Sequence, residues 1–179
     1  HGEFLLMDKS KMAKSEGNFL TLKDLVDQGY SSLDYRYFCL LGHYRSQLQF
    51  SKDALDAAAF ARNNIVDRIK RLKEKAEAKS IEELSPKARQ YVKQFSDSLA
   101  EDLNLPKCLS VLWKVIKDTE LQDWEILTVV TEMDSVLGLD FTNIAPDTDI
   151  DEENHRLIIE REEARKQKDF KKADQIRDI

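Results

Sequence analysis

The sequence contains few of the residues that interrupt regular structure. Its 179 residues include five glycines and three prolines, and this scarcity disfavours a fold built from many short strands and turns. No unbroken apolar run exceeds five residues, as in 57–61, so no segment is long enough to cross a bilayer. Two cysteines, Cys39 and Cys108, have neither disulfide nor zinc-ligand spacing, and we interpret them as reduced core residues of a cytoplasmic protein.

What the sequence does contain is charge, which makes up 35% of its residues. The formal net charge is −6, but residues 140–154 hold six acidic side chains and no lysine or arginine, so the acidic excess is local. Residues 62–75 carry six basic side chains against two acidic ones, and residues 156–177 carry eight against five. Such segments are typical of solvated helix faces, and they also suit contact with nucleic-acid phosphates.

Apolar residues recur at three- and four-residue spacing, which predicts a mainly α-helical bundle. Capping-box patterns at 21–24 and 31–34 predict the starts of two short helices. Ser51 is expected to begin a long helix that runs to about Lys79. Further helices are predicted from the start signals at Ser85, Pro106 and Asp123, and two more beyond residue 155. Before the bundle, the apolar run 4–7 predicts a short strand, and the polar run 8–18 predicts a loop.

That predicted loop carries the sharpest chemical signal in the chain. It reads Lys11-Met12-Ala13-Lys14-Ser15 and continues with Glu-Gly-Asn-Phe. The segment resembles the lysine loop of class I aminoacyl-tRNA synthetases, whose common form is Lys-Met-Ser-Lys-Ser followed by x-Gly-Asn. Ala13 departs from that form and leaves both lysines in register. The resemblance implies that Lys14 and Ser15 bind ATP and that Lys11 assists, since mobile ammonium groups stabilise charge that grows on departing pyrophosphate.

Three further blocks resemble cysteinyl-tRNA synthetases in particular. They are residues 34–51, which contain His-Tyr-Arg-Ser, residues 102–107 (Asp-Leu-Asn-Leu-Pro-Lys), and residues 164–178. Within the first block, Asp34-Tyr35-Arg36 is a shortened variant of the Asp-Ala-Leu-Arg element that names the helical domain of this class. The blocks lie in family order, so the resemblance covers essentially the whole chain.

The resemblance implies how the chain is organised. Residues 1–20 would end a catalytic region, 21–139 would form the helical bundle beside the tRNA stem and anticodon arm, 140–149 would be an acidic linker, and 150–179 would begin a small anticodon-binding module. We expect both ends of the chain to be internal to a longer protein. The implied substrates are ATP with magnesium, L-cysteine and tRNA(Cys), handled by a cytoplasmic monomer. A zinc ion that selects the cysteine thiol is also implied, and we expect it in a preceding catalytic region, with no metal in this chain.

The RNA contacts and the function each leave alternatives open. Candidate tRNA-binding residues are Arg45, Arg68, Lys70 and Arg71, although Arg45 could equally anchor its connector to the bundle. A paralogue that joins cysteine to an amino-sugar would also keep the lysine loop, but residues 150–179 match the tRNA-binding members. A non-catalytic RNA-binding helical module would have no need of Lys11 and Lys14, so the intact lysine pair disfavours it.

Overall fold

The computed structural model describes residues 5–7, 10–11 and 20–144, and within them the chain is mainly helical. The strands are β1 (Leu5–Met7), β2 (Ser10–Lys11) and β3 (Leu48–Phe50). The helices are α1 (Leu22–Asp27), α2 (Ser32–Leu40), α3 (Lys52–Lys73), α4 (Pro86–Ala100), α5 (Leu105–Lys117) and α6 (Asp123–Leu137). The predicted fold class, a helical bundle preceded by a short strand segment, is confirmed. No helix in this described part of the chain has both the length and the apolar character needed to span a membrane.

The three strands form one small sheet in the order β2-β1-β3. β1 pairs antiparallel with β2, so that Leu6 lies opposite Lys11, and parallel with β3, so that Leu6 also lies opposite Gln49. The strand predicted at 4–7 is confirmed, but the loop predicted for 8–18 was wrong at Ser10–Lys11, which pair as β2. β3 lies in a segment that the sequence presented as a plain connector, because its pairing partner is more than 40 residues earlier in the chain.

Local hydrogen bonds start the helices where the sequence predicts them. In the capping box of α1, the Asp24 amide donates to Thr21 Oγ1 at 3.1 Å and the Thr21 amide donates to Asp24 Oδ2 at 2.7 Å. Ser31 caps α2 in the same way, and Ser51 Oγ accepts from an amide of the first turn of α3. α3 ends at Lys73, short of the end predicted near residue 79.

The chain between the end of α3 and the start of α6 also differs slightly from the prediction. The backbone leaves α3 to reach α6, where the Lys79 amide donates to Thr128 Oγ1 at 2.9 Å. α6 has Gln122 as its N-cap, one residue before the predicted Asp123.

The core lies between the five longer helices and is almost entirely apolar. Its fully buried side chains include Tyr37, Leu55, Ile65, Ile69, Leu72, Leu84, Leu112, Ile126, Met133, Leu137, Leu139 and Phe141. Arg62 was predicted among the exposed basic side chains, but it is only 11% exposed and lies 3.4 Å from both Asp34 Oδ1 and the Leu139 carbonyl oxygen. Arg62 therefore joins α2, α3 and the end of α6 from inside the bundle.

The chain stays packed on the bundle beyond the end of α6. Gly138 caps this helix in the left-handed conformation with φ 61°, and Asp134 Oδ1 and Oδ2 accept the amides of Leu139 and Phe141 at 2.8 and 2.7 Å. Lys73 Nζ donates to the carbonyls of Thr142 and Ile144 at 2.6 and 2.8 Å. Packing thus continues into the acidic stretch as far as residue 144, and the predicted module at 150–179 lies outside the described residues.

Candidate functional site

The sheet places the start of the lysine segment beside the bundle. Lys11 is the last residue of β2, which lies at one edge of the sheet, and β1 connects it to β3 and so to α3. The other residues of the lysine segment, Met12, Ala13, Lys14 and Ser15, lie outside the described residues, and so do both residues predicted to bind ATP, Lys14 and Ser15. The structure therefore gives the backbone position of Lys11, at which the lysine segment begins.

An open cavity of about 230 Å³ lies where this sheet meets α2. Leu5, Tyr35, Cys39 and Leu48 line it, together with residues of the 42–46 connector. Burial raises the pKa of Tyr35 to about 12 and also raises the pKa of the Cys39 thiol. Both groups are therefore protonated at neutral pH, and Cys39 is not an activated nucleophile.

Two blocks that are far apart in the sequence meet at Asp102. Its carboxylate Oδ1 accepts from Tyr44 Oη at 2.7 Å and from Arg45 Nη2 at 3.0 Å. Arg45 Nε also donates to Tyr44 Oη at 2.9 Å, and His43 Nε2 donates to the Asp102 carbonyl oxygen at 3.1 Å. We call His43, Tyr44, Arg45 and Asp102 the connector cluster.

The connector cluster bears on the two interpretations of Arg45, as an RNA contact or as an anchor. Its guanidinium is 65% exposed, yet it is shared between the Asp102 carboxylate and the Tyr44 hydroxyl, and its Cζ lies 5.3 Å from the centre of the Tyr44 ring. A carboxylate at 3.0 Å also repels a phosphate that approaches the same cation. The geometry therefore favours an anchoring role for Arg45.

The basic residues of α3 divide into structural and exposed groups. Arg62 makes buried contacts inside the bundle, and Lys73 binds the carbonyls of the segment that follows α6, as described above. Arg68 and Arg71 are three residues apart and so lie on one face of the helix, where Arg71 is exposed and Arg68 Nη2 lies 4.0 Å from Asp123 Oδ1. Lys70 is half-buried and lies on the adjacent face.

A groove beside this face was not foreseen from the sequence. Lys75, Lys79, Glu77 and Trp124 are among its lining residues, and Lys79 Nζ lies 4.7 Å from the centre of the Trp124 ring. Lys75 lies two residues beyond the end of α3, so the groove adjoins the C-terminal end of the helix that carries the exposed basic face. Lysines with an adjacent aromatic ring are the side chains that commonly line single-stranded nucleic-acid sites, although the glutamate weakens the positive potential here.

The described residues do not fit the zinc ion that the family resemblance implies. Among residues 5–7, 10–11 and 20–144, no three His, Cys, Asp or Glu side chains are arranged to hold a metal ion. Cys108 is buried in the core, where Sγ donates to the Phe95 carbonyl oxygen at 3.9 Å, and burial raises its pKa. Cys39 lies on a different helix beside Tyr35. We therefore derive no step through a metal ion in this chain.

Known proteins match the chain from end to end. Residues 1–60 match the family described as the class I (C) tRNA synthetase catalytic domain. The cysteine–tRNA ligase of Borreliella burgdorferi is 40% identical over 193 residues, covering 100% of this chain and 40% of the relative. Those of Treponema denticola and Leptospira interrogans are 38% and 39% identical, each covering 99% of this chain and 41% of the relative. The chain thus spans about two fifths of these relatives, and the resemblance predicted from its sequence is confirmed.

Proposed function

We propose that the protein activates L-cysteine with ATP and transfers it to tRNA(Cys), because the chain is related along its whole length to cysteinyl-tRNA synthetases. The single observation that carries this proposal is the match of 99–100% of the chain to cysteine–tRNA ligases at 37–40% identity. A match confined to the lysine segment would have left the amino acid open, because several class I synthetases share that segment. The amino-sugar paralogue is therefore not favoured.

In this proposal Lys14 and Lys11 stabilise the transition state of cysteine activation. The cysteine carboxylate attacks the α-phosphorus of ATP, the bond to the bridging oxygen breaks, and pyrophosphate leaves with its added negative charge. An ammonium group that meets this charge as it develops lowers the barrier more than it strengthens ground-state binding. We further propose that magnesium accompanies ATP, that Ser15 contributes to the nucleotide site, and that the zinc ion lies outside this chain.

In this proposal the helical bundle and the module that begins at residue 150 hold the tRNA. Arg68, Lys70 and Arg71 would contact phosphates and fix the position of the RNA without reading its bases. We propose the division expected from the sequence, with 1–20 in the catalytic region, 21–139 as the bundle, 140–149 as the linker and 150–179 as the start of the anticodon-binding module. The first residues of that linker, 140–144, still pack on the bundle. We also propose that the protein is a cytoplasmic monomer.

Exchange of labelled pyrophosphate into ATP tests the first half of the proposal. In the full-length protein the exchange should require cysteine, and Lys14→Ala should slow it by roughly 10²-fold, the scale of removing one preorganised charged contact. Lys114→Ala, which removes an exposed lysine on α5, is the matched control and should exchange at the normal rate. Normal exchange by the Lys14 variant would remove this lysine from the mechanism.

The salt dependence of tRNA binding tests the second half. Reversing Arg68, Lys70 and Arg71 to glutamate should weaken binding and reduce the slope of log K against log salt by about two, since each phosphate contact contributes about 0.7–0.9. Reversing Lys93, Lys114 and Lys117, which are exposed on α4 and α5, controls for the change in net charge. A slope equal to that of the unmodified protein would show that the α3 face does not contact the RNA.

A further inference from the structure

The connector cluster is built on backbone that ordinary residues rarely adopt. Asp102 and Leu103 both have positive φ, at 55° and 53°, although neither is a glycine. Hydrogen bonds hold this turn between α4 and α5: the Leu103 amide donates to the Leu99 carbonyl at 2.9 Å, and the Asn104 side chain accepts the Lys107 amide at the start of α5. Left-handed residues of this kind cost energy, and they recur where the surroundings need one particular geometry.

The consequence of that turn is the direction in which Asp102 points. Both its carbonyl oxygen and its carboxylate face the connector. The carbonyl oxygen accepts a hydrogen bond from His43, and the carboxylate accepts hydrogen bonds from Tyr44 and Arg45. The His43 and Tyr44 rings also stack, with centres 4.8 Å apart. Because the Arg45 amide donates to His43 Nδ1, the ring proton is on Nε2, which is the atom that bonds to Asp102. Three consecutive side chains are thus committed to one residue of the bundle.

The connector leads directly into the sheet. A turn closed by the Ser46 amide and the His43 carbonyl, 2.8 Å apart, precedes β3. Leu48, the first residue of β3, lies opposite Leu5 of β1, and packs so closely on the connector that a Cβ at Gly42 would lie 3.1 Å from its Cδ1. A shift of the connector would therefore displace Leu48 from its position opposite Leu5 at the start of the β3–β1 pairing.

The opposite end of β3 is fixed in a different way. Phe50 is buried, and its ring meets the ring of Phe38 of α2 edge to face, with centres 5.7 Å apart. β3 is thus held at its last residue by core packing and before its first residue by the connector cluster. Since β1 and then β2 pair outward from β3, the backbone position of Lys11 depends on both attachments.

We propose that Asp102 is a positioning residue for cysteine activation, acting through His43, Tyr44 and Arg45 to hold the β3–β1–β2 sheet in register with the bundle. This inference rests on the proposed function, because the position of Lys11 on β2 matters only if the lysine segment takes part in cysteine activation. It gives Arg45 an anchoring role in place of direct RNA contact. It also explains why the two blocks, 43–46 and 102–107, occur in one chain.

The test compares Asp102→Ala with Asp97→Ala in the full-length protein. Asp97 is an exposed carboxylate on α4 that pairs with Lys93, so its loss also removes an ion pair near Asp102 without touching the connector. We expect Asp102→Ala to lower the kcat of cysteine-dependent pyrophosphate exchange about tenfold, while the Kd for tRNA changes less than twofold. Tyr44→Phe, which removes one hydroxyl and keeps the ring, should give a smaller loss in kcat and guards against misfolding of the alanine variant.

A second measurement does not depend on activity. Hydrogen–deuterium exchange of the amides in 48–50 should become at least tenfold faster in the Asp102 and Tyr44 variants and remain unchanged in the Asp97 variant. Unchanged protection of these amides in the Asp102 variant would overturn the proposal. A normal kcat for pyrophosphate exchange in that variant would also overturn it. Weakened tRNA binding with a normal kcat would overturn it in favour of RNA contact. If the unmodified protein does not exchange pyrophosphate with cysteine, the proposed function fails, and faster amide exchange would then support the structural half alone.

Discussion

Replacing Asp134 by asparagine tests a buried carboxylate that accepts three backbone amides. Asp134 is 5% exposed, and its two carboxylate oxygens accept the amides of Leu139 at 2.8 Å and Phe141 at 2.7 Å, with Thr142 at the longer distance of 3.4 Å. Leu139 and Phe141 are themselves buried, so no solvent can take the place of the carboxylate. This one side chain therefore fixes the chain as it turns away from α6.

The size of the effect follows from the number of acceptors. Asparagine keeps one carbonyl oxygen, which can accept the Leu139 or the Phe141 amide, and turns an NH₂ donor toward the other. A hydrogen bond to a charged group contributes about 1.5–3 kcal/mol, and a buried amide left without an acceptor costs about 1–3 kcal/mol. Since these two figures describe overlapping losses, we expect Asp134→Asn to lower the free energy of unfolding by about 2–3 kcal/mol, a large part of a typical total of about 5–15 kcal/mol.

Urea unfolding followed by circular dichroism measures this difference. Glu132→Gln changes an exposed carboxylate on the same helix and should stay within about 0.5 kcal/mol of the unmodified protein. An Asp134→Asn variant that also stayed within that range would refute the reasoning, because two buried amides would then have found other acceptors at no cost. A change in the slope of the transition would instead indicate that the compactness of the folded or the unfolded state had changed, or that unfolding was no longer two-state.

Two further predictions concern other contacts. A Cβ at Gly138 would lie 2.9 Å from Arg36 Nη2, so Gly138→Ala should couple to Arg36→Ala by about 0.5–1 kcal/mol in a double-mutant cycle of unfolding free energies. Gly29, which also has positive φ but nothing within 4 Å, should show no coupling to Arg36, and equal coupling for both glycines would contradict the assignment. A hydrogen bond from Lys87 lowers the pKa of Asp118 to about 2. A carboxyl group whose pKa is lower in the folded state stabilises the protein at pH values above its pKa in the unfolded chain, which is 3.8. This stabilisation should therefore be lost as the pH falls from about 4 to about 2. Urea unfolding across that range should show a smaller loss in Lys87→Met, and parallel curves would contradict the pairing.

How much of this fold the sequence predicts depends on how far apart the interacting residues lie. The capping boxes at Thr21 and Ser31 were predicted correctly because each is complete within four residues. β3 was missed because three residues have no readable periodicity and their partners belong to another part of the chain. Arg62 was misassigned for a related reason, since its partners Asp34 and Leu139 lie 28 and 77 residues away.

The candidate site shows the same limit. The His-Tyr-Arg and Asp-Leu-Asn blocks were each identified from the sequence, but only the fold brings them together at Asp102. The sequence left both interpretations of Arg45 open, because an exposed arginine on a connector suits an anchor and an RNA contact equally well. The discriminating feature is a carboxylate 57 residues away, which no local pattern records.

The length of α3 also separates the two proposed activities in space. α3 begins two residues after β3 and runs for 22 residues, so a rise of 1.5 Å per residue places Arg68 and Arg71 roughly 25–30 Å along its axis from the sheet. A triphosphate held beside the sheet cannot reach them, whereas an RNA helix spans that distance easily. Reversal of these arginines should therefore weaken tRNA binding and leave cysteine-dependent pyrophosphate exchange unchanged. Loss of both activities together would mean that α3 transmits a change along its length, and that its two ends do not act as independent sites.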